Sequence, residues 1–451
     1  MQLKNLKKLF VGFLLAISFV ISPSEIIGQT VFNGNFSSKN SDGTKTYTIN
    51  NGKQKFSIEY EGEITLSDDD KEIIAISNNG FIEIRKTRFG KRRRIIIESE
   101  GGTLVHKYFI GAKEIPFNPD GKKWLAEILQ EVVRTSTIAA QSRVNRFYKR
   151  GGARAVMSEV KRMDSDYVKA AYIKILLKKN LKNSDLINVI ETAGSSIKSD
   201  HYVSQILKAN QKAFLATDAT RTAYIKAASS IGSDHYRSQI LKTVINDSSI
   251  NDKQMASLLD ITRSIKSDHY LSNILSSLMD KRKLNKQNMN TIMSLTGEIK
   301  SDHYKARVLK KALKMDNMSK GNYDAFLNTL SNIKSDHSTS QVINDLIVED
   351  MNSASLSKLL TIVNKNVKSD HYAANIYKKI AKNKNISDAQ LIQLMESAST
   401  SINSDFSLSS VLKAYSGRVK TSSQKVKDAY IKVAKSIKSE TYYGRALRAI
   451  E

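Results

Sequence analysis

Cysteine is absent from the 451 residues. Disulfides, thiolate metal sites and a lipid-modified N-terminal cysteine are therefore excluded. Proline occurs three times and never after Pro119, so nothing beyond that point breaks a run of helices. Acidic residues are few beside basic ones, 44 against 71, for a formal charge of +27. That excess favours anionic partners: lipid head groups, acidic polymers or acidic proteins. Solubility through net charge is the plainer reading. Also missing are a phosphate loop, a G-x-G-x-x-G turn, an H-E-x-x-H helix and a nucleophile elbow. No catalytic residue, metal site or cofactor is expected, and a non-enzymatic protein follows.

Residues 1–28 read as an export signal. Lys4, Lys7 and Lys8 supply the charged start, and residues 9–21 form a 13-residue apolar stretch. That stretch is too short for a comfortable membrane span. Cleavage after Gly28 leaves no transmembrane anchor; an uncleaved anchor is the alternative. An exported chain without disulfides suits a bacterial cell envelope, in the periplasm or outside the cell. Export argues against nucleic acid as the partner.

What the chain does have is a tetrapeptide, I-x-S-D, on a fixed period. Its acid falls at Asp166, Asp200, Asp234, Asp268, Asp302, Asp336, Asp370, Asp405 and, in the ninth copy, Glu440. Six steps are of 34 residues and two of 35. Such a period marks a solenoid, in which each unit buries its apolar face against its neighbours. Serine precedes the acid in every copy and reads as a helix N-cap, with the acid at the positive end of the helix dipole. Seventeen residues earlier stand Asn183, Thr217, Asn251, Asn285, Ser319, Ser353, Asp388 and Ser423, again cap types. Two starts per period mean two short helices per repeat. Apolar residues at offsets of three, seven and ten before the acid place one face of the second helix in a core. The ninth copy reaches only a first helix, so the array has about eight and a half repeats.

Before the array the pattern changes. Short alternating runs at 55–60, 63–66, 71–76, 81–85, 94–98 and 104–109 suggest a small antiparallel sheet. Asn78-Asn79-Gly80, Phe89-Gly90 and Gly101-Gly102 are its expected turns. An amphipathic helix follows over 124–134 and another over 137–150, stopped by Gly151-Gly152.

The runs Leu66-Ser67-Asp68-Asp69-Asp70-Lys71-Glu72-Ile73 and Gly80-Phe81-Ile82-Glu83-Ile84, then Tyr108-Phe109-Ile110-Gly111, Trp124 to Leu129 and the Ser165-Asp166-Tyr167 repeats, look familiar as a set. With them the chain resembles a group of exported bacterial envelope proteins that join a small β region to S-D-Y-type helical repeats. The resemblance implies architecture and export and carries no activity. This chain departs from the group in having His after most repeat acids, where the group tends to Tyr.

Six histidines follow the repeat acid: His201, His235, His269, His303, His337 and His371. A metal column is excluded on geometry, because equivalent helices of neighbouring repeats sit roughly 8–10 Å apart and zinc needs ligands at about 2 Å. Tyr202, Tyr236, Tyr270, Tyr304 and Tyr372 form a second column, either an aromatic ridge for a partner or packing between repeats. Arg85, Lys86, Arg88, Lys91, Arg92, Arg93 and Arg94 straddle one hairpin turn. They are either an anion-binding point or charges that keep an edge strand from pairing.

The expected molecule is mainly α. An α-solenoid over 164–451 is preceded by a small antiparallel β domain over 30–118 and a helical junction over 120–163. Recognition or scaffolding of a protein or peptide partner on the solenoid is the leading role. An anionic envelope component bound by the basic hairpin is the second. An enzyme with an unrecognised site at the β/α junction is the third.

Overall fold

The computed structural model describes residues 35–41, 43–50, 54–315, 323–346, 353–382 and 386–451. The export signal and Ser319 lie outside the described residues. Two compact units divide the chain. One runs to Ser142 and takes in Met163–Val168; the other comprises Arg143–Arg162 and Lys169–Glu451.

The first unit is a β domain with one covering helix. Its strands are β1 (Asn35–Ser41), β2 (Thr44–Asn50), β3 (Gln54–Glu61), β4 (Ile64–Leu66), β5 (Ile73–Ile76), β6 (Phe81–Arg88), β7 (Lys91–Glu100), β8 (Thr103–Ile110) and β9 (Lys113–Ile115). Seven of them form one antiparallel sheet in the order β1-β2-β3-β6-β7-β8-β9, and β4 pairs with β5 in a separate hairpin. The six alternating runs became β3 to β8. Strands β1, β2 and β9 were not anticipated, because β1 and β2 are mostly polar and β9 is only three residues. Lys71 and Glu72 fall in the turn before β5 rather than in it.

Period-two alternation places every second side chain on one face. Ile58, Ile84 and Ile95 stand in register across three strands, as do Tyr60, Ile82 and Ile97. All six are buried. Helix α1 (Lys122–Thr135) covers that face with Trp124, Leu125, Ile128, Leu129 and Val132. Polar clamps hold the helix: Lys122 pairs with Glu72 at 3.0 Å, and Glu131 takes both the Lys86 ammonium and the Gln54 amide.

Helix α2 (Ala140–Lys161) breaks at Gly151-Gly152, as expected from the pair. Gly152 has φ 63° and ψ −158°, a region open essentially only to glycine. The helical turns after the break were not foreseen.

The second unit contains the repeats. We number them by their acid, from Asp166 (repeat 1) to Glu440 (repeat 9). First helices of repeats 2 to 9 are Asp200–Ala209, Asp234–Ile245, Asp268–Lys281, Asp302–Ala312, Asp336–Asn344, Asp370–Ile380, Asp405–Lys420 and Glu440–Arg448. Second helices of repeats 1 to 8 are Asn183–Ser196, Asp218–Ala228, Asp252–Arg263, Lys286–Glu298, Tyr323–Leu330, Ser353–Asn366, Asp388–Ser401 and Gln424–Ala434. First helices stack on first helices and second on second, in two layers. Repeat 2 adds a short helix, Gln211–Phe214, whose Phe214 is buried. Among the described residues no helix is long and apolar enough to cross a membrane.

The caps differ in detail from the expectation. Thr217, Asn251 and Asn285 cap second helices through their side chains. In repeat 7 the cap is Ser387, one residue before Asp388, and Asn183 already lies inside its helix behind Lys182. The repeat serines occupy the N-cap position, but in most copies the hydroxyl makes no cap bond; Ser335 and Ser404 do, and Ser165 accepts from the Val168 N–H at 3.4 Å.

Candidate functional site

The S-D pair joins one repeat to the next. Each repeat acid from Asp200 to Asp405 sits in the first turn of its own helix and accepts from two backbone N–H groups one period on. Asp234 accepts from Lys266 and Ser267, Asp268 from Lys300 and Ser301, Asp302 from Lys334 and Ser335, and Asp336 from Lys368 and Ser369, at 2.7–3.1 Å. Asp200, Asp370 and Asp405 do the same. Seven consecutive staples result. Among the described residues Glu440 accepts no such pair, and it is the one repeat acid that is not Asp. The sequence places this acid at a helix start for the dipole; its carboxylate bonds go to the next repeat. Replacing Asp302 by Ala leaves the Lys334 and Ser335 N–H groups without an acceptor. Stability is expected to fall by about 1–3 kcal/mol, with faster amide exchange at Ser335, whereas Glu440→Ala is near neutral. Urea unfolding with amide exchange checks both.

Above the staples runs a ladder of rings. The Nδ1 of His201, His235, His269 and His337 meets the hydroxyl of Tyr236, Tyr270, Tyr304 and Tyr372 in the next repeat, at 3.0–3.4 Å. The Nε2 meets an amide four residues on: Gln205, Gln239, Asn273, Gln341 and, for His371, Asn375. In repeats 2 and 3 a lysine of the preceding repeat donates to the amide oxygen: Lys174 to Gln205 and Lys208 to Gln239. That turns the amide NH2 toward the imidazole, so Nε2 accepts and the ring proton sits on Nδ1, donated to the tyrosine. The rings pack edge-on at 5.7–5.8 Å. Tyr202 is buried, and the other four tyrosines are half-buried under the exposed histidines. The outward face of the ladder is therefore imidazole and carboxamide, with the tyrosine hydroxyls engaged inside the array.

The ladder breaks where repeat 6 has Ser338 in place of tyrosine. His303 has Arg307 at its fourth position and no hydrogen-bond partner among the described residues. A depression of about 510 Å3 opens there, lined by His303, Arg307, Lys310, Lys311, Lys314 and Gln341 among others. The Arg307 guanidinium is fixed from repeat 4 by Ser272 and by Asn273 at 2.7 Å, and lies 5.1 Å over the Tyr304 ring. Lys311 pairs with Asp280 and Lys310 with Asp345. Lys314 has no acidic partner among the described residues. A second break follows at Ser407, and the neighbouring Phe406 is exposed and packs edge-on to Tyr442 at 5.7 Å.

The seven basic hairpin residues are not equivalent. Arg85 and Arg94 pair with Glu83, and Arg94 also lies 4.0 Å over Phe109. Lys86 is held by Glu131. Arg88, Lys91, Arg92 and Arg93 have no acidic partner among the described residues. Strands β6 and β7 lie inside the sheet, flanked by β3 and β8. The edge-protection reading, which needs an edge strand, does not apply to them.

No family model matches the sequence, and no curated protein matches it.

Proposed function

We propose that the chain is an exported, non-enzymatic recognition protein whose repeat array binds an acidic protein or peptide segment along the first-helix layer. The observation that supports this reading is the break at repeat 5. There, groups from three successive repeats converge on one depression, and the His303 ring nitrogens stand open while the histidines on either side are engaged. An extended segment lying across several repeats would meet imidazole and carboxamide groups along the ladder and cations at the break. The net positive charge of the depression selects carboxylates. The N-terminal 28 residues support export, and the resemblance to envelope proteins supports a bacterial envelope as the setting.

The test is capture from a native envelope extract at moderate salt. Lys310→Glu with Lys314→Glu is expected to reduce the retained partner at least tenfold, a loss typical of two reversed contact charges. Lys425→Glu, an exposed change in the second-helix layer of repeat 8, serves as the control. Equal retention by all three proteins sinks the assignment to this depression.

A further inference from the structure

We infer that the sheet end carrying the β6–β7 turn docks on an anionic phospholipid bilayer. The turn residues Phe89 and Gly90 both have positive φ, 47° and 76°. Two-residue turns of this kind favour Asn-Gly, because phenylalanine is strained in the left-handed region. Here the strained position holds Phe89 with 76% of its surface exposed. Its described ring contact is the Arg88 guanidinium at 5.4 Å. An aromatic ring set outward at the most projecting point of a sheet contributes nothing to the domain core.

A second apolar side chain stands at the same end. Ile110 is 47% exposed and lies opposite Arg93 in the β7–β8 register. The next residue, Gly111, donates its N–H to the Arg92 carbonyl at 2.8 Å. Around these two apolar groups are the four cations without acidic partners: Arg88, Lys91, Arg92 and Arg93. At the opposite end stand Glu61, the last residue of β3, with Lys45 near it, and Glu100, beside the Gly101-Gly102 turn. The cluster of cations without acidic partners among the described residues is thus confined to the β6–β7 end, which orients the domain on an anionic plane.

The mixture decides the partner. A soluble polyanion would use the four cations and leave Phe89 and Ile110 in water. A bilayer interface takes both, because head groups neutralise the cations while the apolar side chains enter the acyl boundary. Each cation near such a surface is worth about fivefold in partitioning. This inference concerns the β domain and is independent of the peptide reading of the repeats.

The experiment is sedimentation of the full mature chain with vesicles of phosphatidylcholine mixed with phosphatidylglycerol, beside pure phosphatidylcholine vesicles and soluble inorganic polyphosphate. Strong partitioning to the anionic vesicles alone is expected. Lys91→Glu with Arg92→Glu abolishes it. Phe89→Asn, which suits the turn better and so preserves the fold, weakens vesicle binding about tenfold and leaves polyphosphate binding unchanged. Vesicle binding that ignores Phe89→Asn and parallels polyphosphate binding makes the site a general polyanion patch and overturns the inference. Equal binding to neutral vesicles, or none to either, also overturns it.

Discussion

Replacing Ile265 by Asp is expected to open repeats 3 and 4 and to lower the stability of the array by about 4 kcal/mol or more. Ile265 stands three residues before the repeat 4 acid. The same offset holds Met163, Ile197, Ile231, Ile299, Ile333, Val367, Ile402 and Ile437, and all nine are buried. Truncating such a side chain already costs about 2–5 kcal/mol. Aspartate adds a carboxylate among apolar neighbours with nothing to pair it. Repeats interact with their nearest neighbours, so the loss begins locally. Amide exchange is expected to accelerate first in the helices flanking residue 265, with terminal repeats retaining protection. Lys266→Asn, one residue on, exposed and keeping the backbone N–H that Asp234 accepts from, is the matched control and is expected to change stability by no more than about 0.5 kcal/mol. Unchanged helix content and melting in the Ile265 variant would contradict the packing described above.

The second large effect is expected at the start of the array unit. Arg143 and Glu159 are 2% and 5% exposed and pair at 3.0 Å. The Arg143 guanidinium also donates to the Tyr172 hydroxyl and lies 5.3 Å from the Phe147 ring. A buried pair is not in itself a strong source of stability, because desolvating both ions offsets much of their attraction. Removing Glu159 is different, since the Arg143 guanidinium stays buried without the carboxylate that offsets its charge. Glu159→Ala is therefore expected to cost about 3–5 kcal/mol in urea unfolding. Joining it to Arg143→Met removes the stranded charge and is expected to recover most of the loss. A double variant as unstable as the single one would mean that packing, not charge, is what Glu159 supplies.

Much of this was legible in the residues, and each miss has its own physical cause. Helix number and spacing could be read because each start carries its own cap residue and each core position recurs at a fixed offset. Strands β3 to β8 announced themselves by alternation; β1 and β2 did not, since Tyr47 and Ile49 are the buried apolar pair of β2 and its other positions are polar. The staple and the ring ladder were missed because they join residues about one period apart. In a perfect repeat, a contact within a unit and a contact to the next unit leave the same pattern. The distinguishing signal was present. For the dipole alone Asp and Glu serve equally in a first turn, yet all seven acids that form a staple are Asp, and Glu440, which forms none among the described residues, is not. The Tyr column likewise lapses at Ser338 and Ser407, and the first lapse is where the depression opens. Among the hairpin cations Lys86 could not be told from those without an acidic partner among the described residues, because Glu131 comes from a helix distant in sequence, and Arg94 reaches Glu83 only across the β6–β7 pairing.

The staples have a mechanical meaning. They act in series, each spanning one boundary between neighbouring units with nearly the same pair of hydrogen bonds. Tension along the array therefore meets links of similar strength, and every boundary carries the same load. One unit that gives way releases about 115 Å of chain, roughly 34 residues drawn out straight. The neighbours keep their own links intact. An array built this way lengthens under load in steps and leaves the rest of its first-helix layer in place.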